Sequence, residues 1–324
     1  MKPLNALITG YDGFVGPHLA EHLLEQGRNV TGTIYSGTSP LSPLHEDLRG
    51  QIRTVSFDIE SFQEVRSLVA EVRPDEVYHL AGISHVPTSW ENPRKTFSVN
   101  VMGGINLLDS LRMNEQPVKV LIVTSAEVYG KLKREDLPAM ESHPLKPENP
   151  YAASKAALDV ISRQWSHFEN MQIIRVRPFS HTGPGQSSDF VCPAFSRQIA
   201  SISLGKSEPV MKVGDLSAKR DFTDVRDIVR GYRLILEQAE NGNVFNICSG
   251  ESRKISEILD VLKSFSDKKI RVETDPEKLR PVEIPETLGS RDKIKNVTGW
   301  EPQIPFEKTL QDIYEYWLDR LIAE

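Results

Sequence analysis

Short apolar runs alternate with amphipathic stretches through the first half of the chain. The apolar runs, which we interpret as strands, occupy residues 5–9, 29–35, 53–58, 76–81, 119–125 and 172–178. Between them lie helical patterns such as residues 17–27, where Leu19, Leu23 and Leu24 share one face, and residues 62–74. Strands that are apolar on both faces are typical of a parallel sheet covered by helices. The alternation therefore predicts an α/β fold with a Rossmann-type, doubly wound parallel sheet.

This alternation ends after Pro178. Residues 181–190 and 275–289 are rich in proline, glycine and polar residues, so we predict loops there. Between them, residues 224–239 have a helical pattern and residues 243–248 a strand pattern. We therefore predict a smaller C-terminal α/β domain, with part of the C-terminal third returning to the sheet. The predicted domains are a Rossmann domain over residues 1–176 and about 221–248, and a second domain over residues 177–220 and 249–324.

Composition excludes several classes of function. The 324 residues are 39% hydrophobic, which is enough for a large core and one or two domains. The net charge of −6 and the lack of any Lys/Arg block argue against a nucleic-acid partner. No apolar run approaches the ~20 residues of a membrane span, and no signal peptide is visible. Cys192 and Cys248 have no metal-ligand spacing. We therefore expect a cytoplasmic protein with buried free thiols, no membrane segment and no metal site.

Three glycines follow the first predicted strand directly. Gly10, Gly13 and Gly16 have the spacing G-x-x-G-x-x-G. Such a strand-to-helix turn lets the backbone approach a pyrophosphate, while the helix that follows offers free N–H groups and the positive end of its dipole. The position of the turn predicts a nicotinamide dinucleotide site, with an ordinary left-handed turn as the alternative.

The segment after the second strand bears on the choice of cofactor. In this fold an acidic residue there holds the adenosine ribose, or an arginine takes a 2′-phosphate, and residues 32–39 contain neither. Without a carboxylate nothing repels a 2′-phosphate, and Thr33 and Ser36 can bond either form. We therefore expect NADP(H), with NAD(H) as the open alternative. The candidate cofactor-binding residues are Gly10, Gly13, Phe14, Val15, Gly16, Thr33, Ser36, Asp58, Ile59, Leu80, Ala81, Gly82, Tyr151 and Lys155.

A tyrosine and a lysine stand four residues apart in "PYAASKAA". Tyr151 and Lys155 therefore lie on one face of a predicted helix. A phenol with a pKa near 10 exchanges protons poorly at neutrality, and a nearby ammonium favours the phenolate and lowers that pKa. Ser125, at the end of a predicted strand, can bond the same substrate oxygen. These three residues predict proton transfer at a carbinol oxygen, and a chance surface Tyr–Lys pair is the alternative.

The motifs "TGYDGFVG", "HLAG", "TSAEVYG", "PYAASK", "GPGQ" and "KRDFTDVRD" together carry a family resemblance. Over essentially its whole length, the chain resembles the extended short-chain dehydrogenase/reductases (the NAD-dependent epimerase/dehydratase family) that act on nucleotide sugars. It is most similar to the branch of GDP-mannose 4,6-dehydratases and GDP-6-deoxy-4-keto-mannose reductases. The resemblance implies a nucleotide-sugar-binding second domain. It also implies a homodimer formed through two helices of each subunit, a role that residues 96–112 and 151–168 fit.

The resemblance further implies substrate-binding residues by motif position. Arg220 and Arg280 would hold the pyrophosphate and nucleotide of a GDP-linked sugar, and Glu283 would meet the ribose. The remaining candidates, which would line the hexose or the diphosphate, are Ser84, His85, Ser180 and His181. Ser180 is a departure, because the family often has asparagine there. The alternative for Arg220 and Arg280 is an ion pair with Asp221, Asp224 or Glu283.

Glu127 leaves the reaction open. It stands two residues after Ser125, where the dehydratases carry their glutamate base, but the reductases can keep a glutamate there too. A dehydratase retains its cofactor between turnovers. In this chain "GFVG" and "GTIY" replace segments that are typical of the dehydratases. Their replacement suits a cofactor that exchanges in every cycle. We therefore favour reduction of a 4-keto sugar to a GDP-6-deoxyhexose such as GDP-D-rhamnose. GDP-mannose 4,6-dehydratase is the alternative; another nucleotide-sugar epimerase or dehydratase and a non-catalytic dinucleotide sensor rank lower.

Overall fold

The computed structural model describes residues 2–35, 50–114, 116–276 and 284–324. Its central feature is a parallel sheet of seven strands. They are β1 (Asn5–Thr9), β2 (Asn29–Ile34), β3 (Arg53–Ser56), β4 (Glu76–His79), β5 (Val118–Val123), β6 (Met171–Pro178) and β10 (Val244–Ile247). The order β10-β6-β5-β4-β1-β2-β3 reverses direction between β1 and β4. The predicted Rossmann-type fold is therefore confirmed, and so is the return of the C-terminal third to the sheet.

Helices cover both faces of this sheet. They are α1 (Val15–Glu25), α2 (Phe62–Val72), α3 (Val86–Glu91), α4 (Pro93–Phe97), α5 (Gly103–Met113), α6 (Pro150–Trp165), α8 (Val225–Gln238) and α10 (Asp292–Thr298). Ala6 and Ile8 of β1 share a core with α1, α8 and α10, whereas Leu7 shares another with α2, α5 and α6. Successive strand residues point to opposite faces, so the central strands β1, β4, β5 and β6 contribute to both cores. This explains why these strands are apolar on both faces.

A further hydrophobic core lies beside the sheet. It is built from α7 (Val191–Ser203), β8 (Val210–Val213), β9 (Lys219–Asp224), α9 (Ile255–Ser264), β12 (Arg271–Thr274) and α11 (Phe306–Ala323). β8 pairs with β12, and β9 lies between β7 (Ser180–Thr182) and β11 (Ser252–Lys254). The domain boundaries drawn from the sequence stay a prediction.

Two sequence expectations need correction. We predicted a loop over residues 181–190, but its first two residues belong to β7, where Ser180 pairs with Phe222 of β9. Three residues are too few to show a periodicity, and the partner strand is far away in sequence. We also predicted one helical stretch over residues 96–112, which is instead divided by a π-helical turn at Ser98–Met102. No helix within the described ranges is long and apolar enough to cross a membrane.

One histidine is buried in the middle of the sheet. His79 is the last residue of β4 and is fully buried. Its Nδ1 hydrogen-bonds Thr9 Oγ1 across to β1, at 2.8 Å. Burial, together with the charge of Lys155, lowers the pKa of His79 to about 3. The folded protein therefore holds this ring neutral at pH values where an unfolded chain protonates it.

We predict that His79 makes the fold sensitive to mild acid. Between pH 7.5 and 5.5 the unfolded chain binds a proton here that the folded protein excludes, which lowers the free energy of unfolding by about 1.4 kcal/mol. The measurement is urea unfolding at both pH values for the wild type and for His79→Asn, which cannot titrate. The other histidines titrate alike in both proteins, so the variant should lose less stability on acidification. Equal losses would contradict the prediction.

Candidate active site

A cavity of about 1580 Å³ lies along the edge of the sheet where its strands end. Residues that directly follow β1, β4, β5 and β6 line it, which includes the switch point between β1 and β4. Ligands of doubly wound sheets bind at this edge. Three predicted site residues, Ser36, Arg280 and Glu283, lie outside the described residues. The cavity brings together the rest: Gly10, Gly13, Phe14, Val15, Gly16, Thr33, Asp58, Ile59, Leu80, Ala81, Gly82, Ser84, His85, Ser125, Glu127, Tyr151, Lys155, Ser180, His181 and Arg220.

The glycine turn is packed too tightly for side chains. Gly10 has φ +73°, and a Cβ there would lie 2.8 Å from the Cα of Ala81. A Cβ on Gly16 would lie 2.4 Å from the carbonyl oxygen of Tyr11. Helix α1 starts at Val15 without a side-chain cap from the preceding residue. An exposed backbone turn leading into uncapped helical N–H groups fits the pyrophosphate of a dinucleotide.

The end of β2 carries a carboxylate that our sequence argument missed. Asp12, inside the glycine turn, accepts a hydrogen bond at Oδ2 from the backbone N–H of Tyr35 at 3.0 Å. The hydroxyl of Thr33 is engaged as well, because it accepts from the N–H of Gly10 at 3.1 Å. We expected NADP(H) because residues 32–39 contain no carboxylate, but Asp12 supplies one beside the end of β2. The acid comes from the glycine turn rather than from the strand.

The three predicted catalytic side chains converge at the ends of β5 and α6. Ser125 follows β5 and Tyr151 is the second residue of α6. Lys155, one turn further along α6, donates from Nζ to the carbonyl oxygen of Val123 at 2.9 Å. A Cβ on Gly82 would lie 2.9 Å from Oδ1 of Asn100 and 3.4 Å from this Nζ, so the glycine leaves room mainly for the Asn100 amide. The result is a hydroxyl, a phenol and an amine gathered on one side of the cavity.

Burial moves the pKa values of this group in opposite directions. It raises the pKa of Tyr151 to about 12, while the neighbouring Ser125 hydroxyl lowers this pKa and the charge of Glu127 raises it. It lowers the pKa of Lys155 to about 8. We had expected a lowered tyrosine pKa because of the nearby lysine. The net shift of the Tyr151 pKa is instead upward. Loss of hydration penalises the phenolate more than its neighbours favour it.

Glu127 is hydrogen-bonded to Asn149, the residue that caps helix α6. Its Oε2 accepts a hydrogen bond from Nδ2 of Asn149 at 2.8 Å. The other end of the same amide, Oδ1, accepts from the N–H of Ala152 at 2.8 Å and so caps α6. Glu127 also donates its own backbone N–H to the Ser125 hydroxyl at 3.1 Å. Asn149 therefore connects the glutamate to the helix that carries Tyr151.

A buried ion cluster anchors α6 to β6. Asp159 lies two turns beyond Tyr151 on the same face of the helix and is 1% exposed. Its Oδ1 accepts from Nη1 of Arg175 at 2.8 Å, and its Oδ2 accepts from Nε of Arg177 at 2.8 Å. Arg177 also donates to the hydroxyl of Tyr129 at 3.0 Å. The cluster therefore joins α6 to the segment just after Ser125.

The opposite wall of the cavity belongs to the C-terminal part of the chain. The ring of His181 stacks on Phe14 of the glycine turn, with centroids 6.1 Å apart and planes 10° apart. Its Nδ1 donates to the carbonyl oxygen of Phe179 at 3.0 Å, and burial lowers its pKa. On the other side, the His85 ring meets the edge of Phe190 at 6.4 Å. Aromatic contacts thus close the cavity around the predicted hexose-binding residues.

The structure also bears on the ion-pair alternative for Arg220. Its guanidinium donates to the carbonyl oxygens of Lys219 at 2.8 Å and Ile284 at 2.7 Å. The buried carboxylate of Asp221 instead accepts from Ser249, Gly250 and Gly289. The carboxylate of Asp224 accepts from Arg226 and Thr309. These two acids are thus hydrogen-bonded elsewhere, and Arg220 lines the cavity.

Sequence reasoning missed several residues that shape the site. Asn149 stands before Pro150, and an asparagine followed by proline is a helix-start signal that would have revealed the cap. Asn100, fully buried, has no such signal. Its side chain bonds the N–H of Ile83 at 2.7 Å and the hydroxyl of Ser154 at 2.9 Å, joining the segment after β4 to α6.

Comparison with known proteins extends these observations. A family model described as GDP-mannose 4,6 dehydratase matches residues 7–313. The chain is 33% identical to a GDP-6-deoxy-D-mannose reductase of Pseudomonas aeruginosa, over 98% of both proteins. It is 30% identical to a GDP-mannose 4,6 dehydratase of Arabidopsis thaliana, over 94% of this chain and 87% of that protein. A solved structure of RMD from Pseudomonas aeruginosa, complexed with NADPH, superposes with a TM-score of 0.84 at 31% identity, covering 98% of this chain and 99% of that one.

The fold and the full-length similarity to these proteins place the chain in the short-chain dehydrogenase/reductase class. Within that class, the chain belongs to the GDP-mannose 4,6-dehydratase family. The relative named as a reductase matches over 98% of its length, and the Arabidopsis relative named as a dehydratase over 87%.

We predict that Gly10→Ala weakens dinucleotide binding, and Gly27→Ala is the matched control. Both glycines have a positive φ, so either substitution strains the backbone by about 1–2 kcal/mol. A Cβ at Gly27 meets no atom of the described residues within 4 Å, whereas one at Gly10 meets the backbone of Ala81. Titration of NADPH fluorescence should therefore show at least about tenfold weaker binding for Gly10→Ala only. Equal affinities in the two variants would contradict this account of the turn.

Proposed function

We propose that this protein reduces the C4 ketone of a GDP-4-keto-6-deoxy-mannose-type sugar with NAD(P)H, giving a GDP-6-deoxyhexose such as GDP-D-rhamnose. The observation that carries the proposal is the convergence of Ser125, Tyr151 and Lys155 in one cavity with the glycine turn. Similarity along the whole chain to a protein named as a reductase supports the choice of reaction.

The chain's own residues handle the proton and the oxygen. A nicotinamide dinucleotide, when bound at the glycine turn, supplies the hydride. Tyr151 keeps its proton at neutral pH, because burial raises its pKa to about 12, so it can donate that proton to the developing alkoxide at O4. Ser125 holds the same oxygen by a hydrogen bond. Lys155, whose pKa is about 8, is mostly protonated at pH 7 and favours negative charge nearby.

The nucleotide-sugar contacts proposed here follow the cavity wall. Arg220, with Arg280 and Glu283 from outside the described residues, would bind the diphosphate and the nucleotide. An arginine fork suits phosphate oxygens. Ser84 and His85 would contact the hexose from one side, with Ser180 and His181 on the other. Ser180 is shorter than the asparagine common in the family, so its contact there would differ.

The cofactor preference is also a proposal. The structure of RMD from Pseudomonas aeruginosa was solved with NADPH, which supports NADP(H) for this chain. The Asp12 carboxylate at the end of β2 favours NAD(H) instead, because it repels a 2′-phosphate. We keep NADP(H) as the first choice and NAD(H) as the alternative. Ile59, Leu80, Ala81 and Gly82 would contact the dinucleotide in either case, as would Asp58.

A second candidate function is GDP-mannose 4,6-dehydration with retained NADP. The observation that favours it is Glu127, a carboxylate in the same cavity as Ser125 and Tyr151. A dehydratase needs such a base to remove the C5 proton. The name of the matching family and that of the Arabidopsis relative point the same way.

Two further proposals concern the assembly and location of the protein. A homodimer would form through residues 96–112 and 151–168, where Phe97, Met102 and Val160 are exposed apolar side chains. The cytoplasmic location expected from the sequence is retained as part of the proposal.

We predict that Tyr151→Phe lowers turnover by about 10²–10⁴ while leaving NAD(P)H affinity nearly unchanged, because only the donated proton is lost. The measurements are steady-state reduction rates and nucleotide titration. The matched control is Tyr232→Phe, since the Tyr232 hydroxyl also lies at the cavity but hydrogen-bonds no described residue. Turnover of Tyr151→Phe within tenfold of the wild type would remove Tyr151 from the role of acid.

We predict that a GDP-4-keto-6-deoxy-mannose substrate consumes NADPH or NADH stoichiometrically, seen as a falling nicotinamide absorbance. GDP-mannose should yield no keto sugar, with or without cofactor. Glu127→Gln should slow the reduction by less than about tenfold, because hydride transfer to C4 needs no base at C5.

The contrary outcome of this assay is equally clear. Formation of a 4-keto product from GDP-mannose without net nicotinamide consumption would replace the reductase proposal by the dehydratase. In that case Glu127→Gln should abolish the conversion of GDP-mannose.

A further inference from the structure

The hydrogen bonds of Asn149 give it a place in the site that no motif assigned. One side-chain amide makes two hydrogen bonds of 2.8 Å, one to the N–H of Ala152 and one to the carboxylate of Glu127. The orientation of the amide follows from its partners, because a carboxylate accepts and a backbone N–H donates. The same side chain thus begins the catalytic helix and restrains the glutamate.

Glu127 is restrained at both ends. Its backbone N–H donates to the Ser125 hydroxyl, and its Oε2 accepts from Asn149. The cap on α6 fixes Asn149 in turn, because the side chain cannot turn away without exposing the N–H of Ala152. Rotation of the Glu127 side chain away from its present position therefore breaks the bond from Oε2 to the amide.

We infer that Asn149 is a positioning residue that selects the reaction, holding Glu127 away from C5 so that the site reduces C4 without exchanging the C5 proton. This inference rests on the proposed reductase function. The suppressed step is a proton transfer from C5 to the Glu127 carboxylate. The C–H electron pair would move into the C4 ketone, forming an enolate at O4, and solvent would later return a proton to C5.

Asn149→Ser separates the two hydrogen bonds of the amide. Serine caps a helix about as well as asparagine, but its side chain is too short to reach Glu127. The control is Asn92→Ser, because Asn92 also precedes a proline and caps a helix, α4, by accepting from the N–H of Lys95 at 3.2 Å. Asn92 makes no hydrogen bond to Glu127 among the described contacts.

The measurement is deuterium uptake at C5 of GDP-4-keto-6-deoxy-mannose in D₂O, followed by NMR with the full-length protein and corrected for exchange without enzyme. We expect Asn149→Ser to raise this rate by at least about tenfold while its NAD(P)H-dependent reduction stays within about threefold of the wild type. Asn92→Ser should match the wild type. Adding Glu127→Gln to Asn149→Ser should remove the gain.

Three results would overturn the inference: unchanged C5 exchange in Asn149→Ser, an equal rise in Asn92→Ser, or a gain that survives Glu127→Gln. Failure of the proposed function has a different signature. A wild-type protein that consumes no nicotinamide with the keto sugar, and that exchanges C5 rapidly on its own, would be a dehydratase. In that protein Asn149→Ser would slow the exchange, which is the opposite sign.

Discussion

The Asp159 carboxylate anchors α6, the helix that carries Tyr151 and Lys155. It forms ion pairs with the guanidinium groups of Arg175 and Arg177 on β6, and all three side chains are buried. Removing one partner of such a pair leaves an uncompensated charge, which costs about 3–5 kcal/mol. The helix cannot slide along the sheet without breaking these bonds. Tyr151 and Lys155, on the same face of the helix, are therefore fixed in position relative to the carboxyl ends of the strands.

The same cluster reaches the other parts of the site. Arg177 donates to the Tyr129 hydroxyl, which donates to Asn246 of β10 at 2.6 Å. The bond from Tyr129 joins the helical turn after Ser125 to the strand that the C-terminal part of the chain adds to the sheet. A substitution at Asp159 would therefore displace both Ser125 and Tyr151, although Asp159 itself does not line the cavity.

Burial also bears on the proton transfer that we propose for Tyr151. It raises the pKa of the Tyr151 phenol to about 12 and lowers that of the Lys155 ammonium to about 8, so at neutral pH the tyrosine is a proton donor beside a mostly cationic lysine. A group in this state suits an oxygen that gains negative charge, as a ketone oxygen does during reduction. The charge of Glu127 contributes to this raised pKa of Tyr151.

The sequence by itself determined the parallel sheet, the glycine turn and the Ser–Tyr–Lys group, because strand and helix periodicities and a four-residue spacing are local properties. The family followed from motifs of the same kind. Only the tertiary structure decided that Asp12 lies at the end of β2, that Asn149 bonds Glu127, and that Asp159 joins two arginines. Each of these contacts joins residues sixteen or more positions apart, and no local sequence pattern at one residue predicts which residue it contacts. It also reversed the expected direction of the Tyr151 pKa, because that direction depends on how much water the folded chain excludes from the phenol.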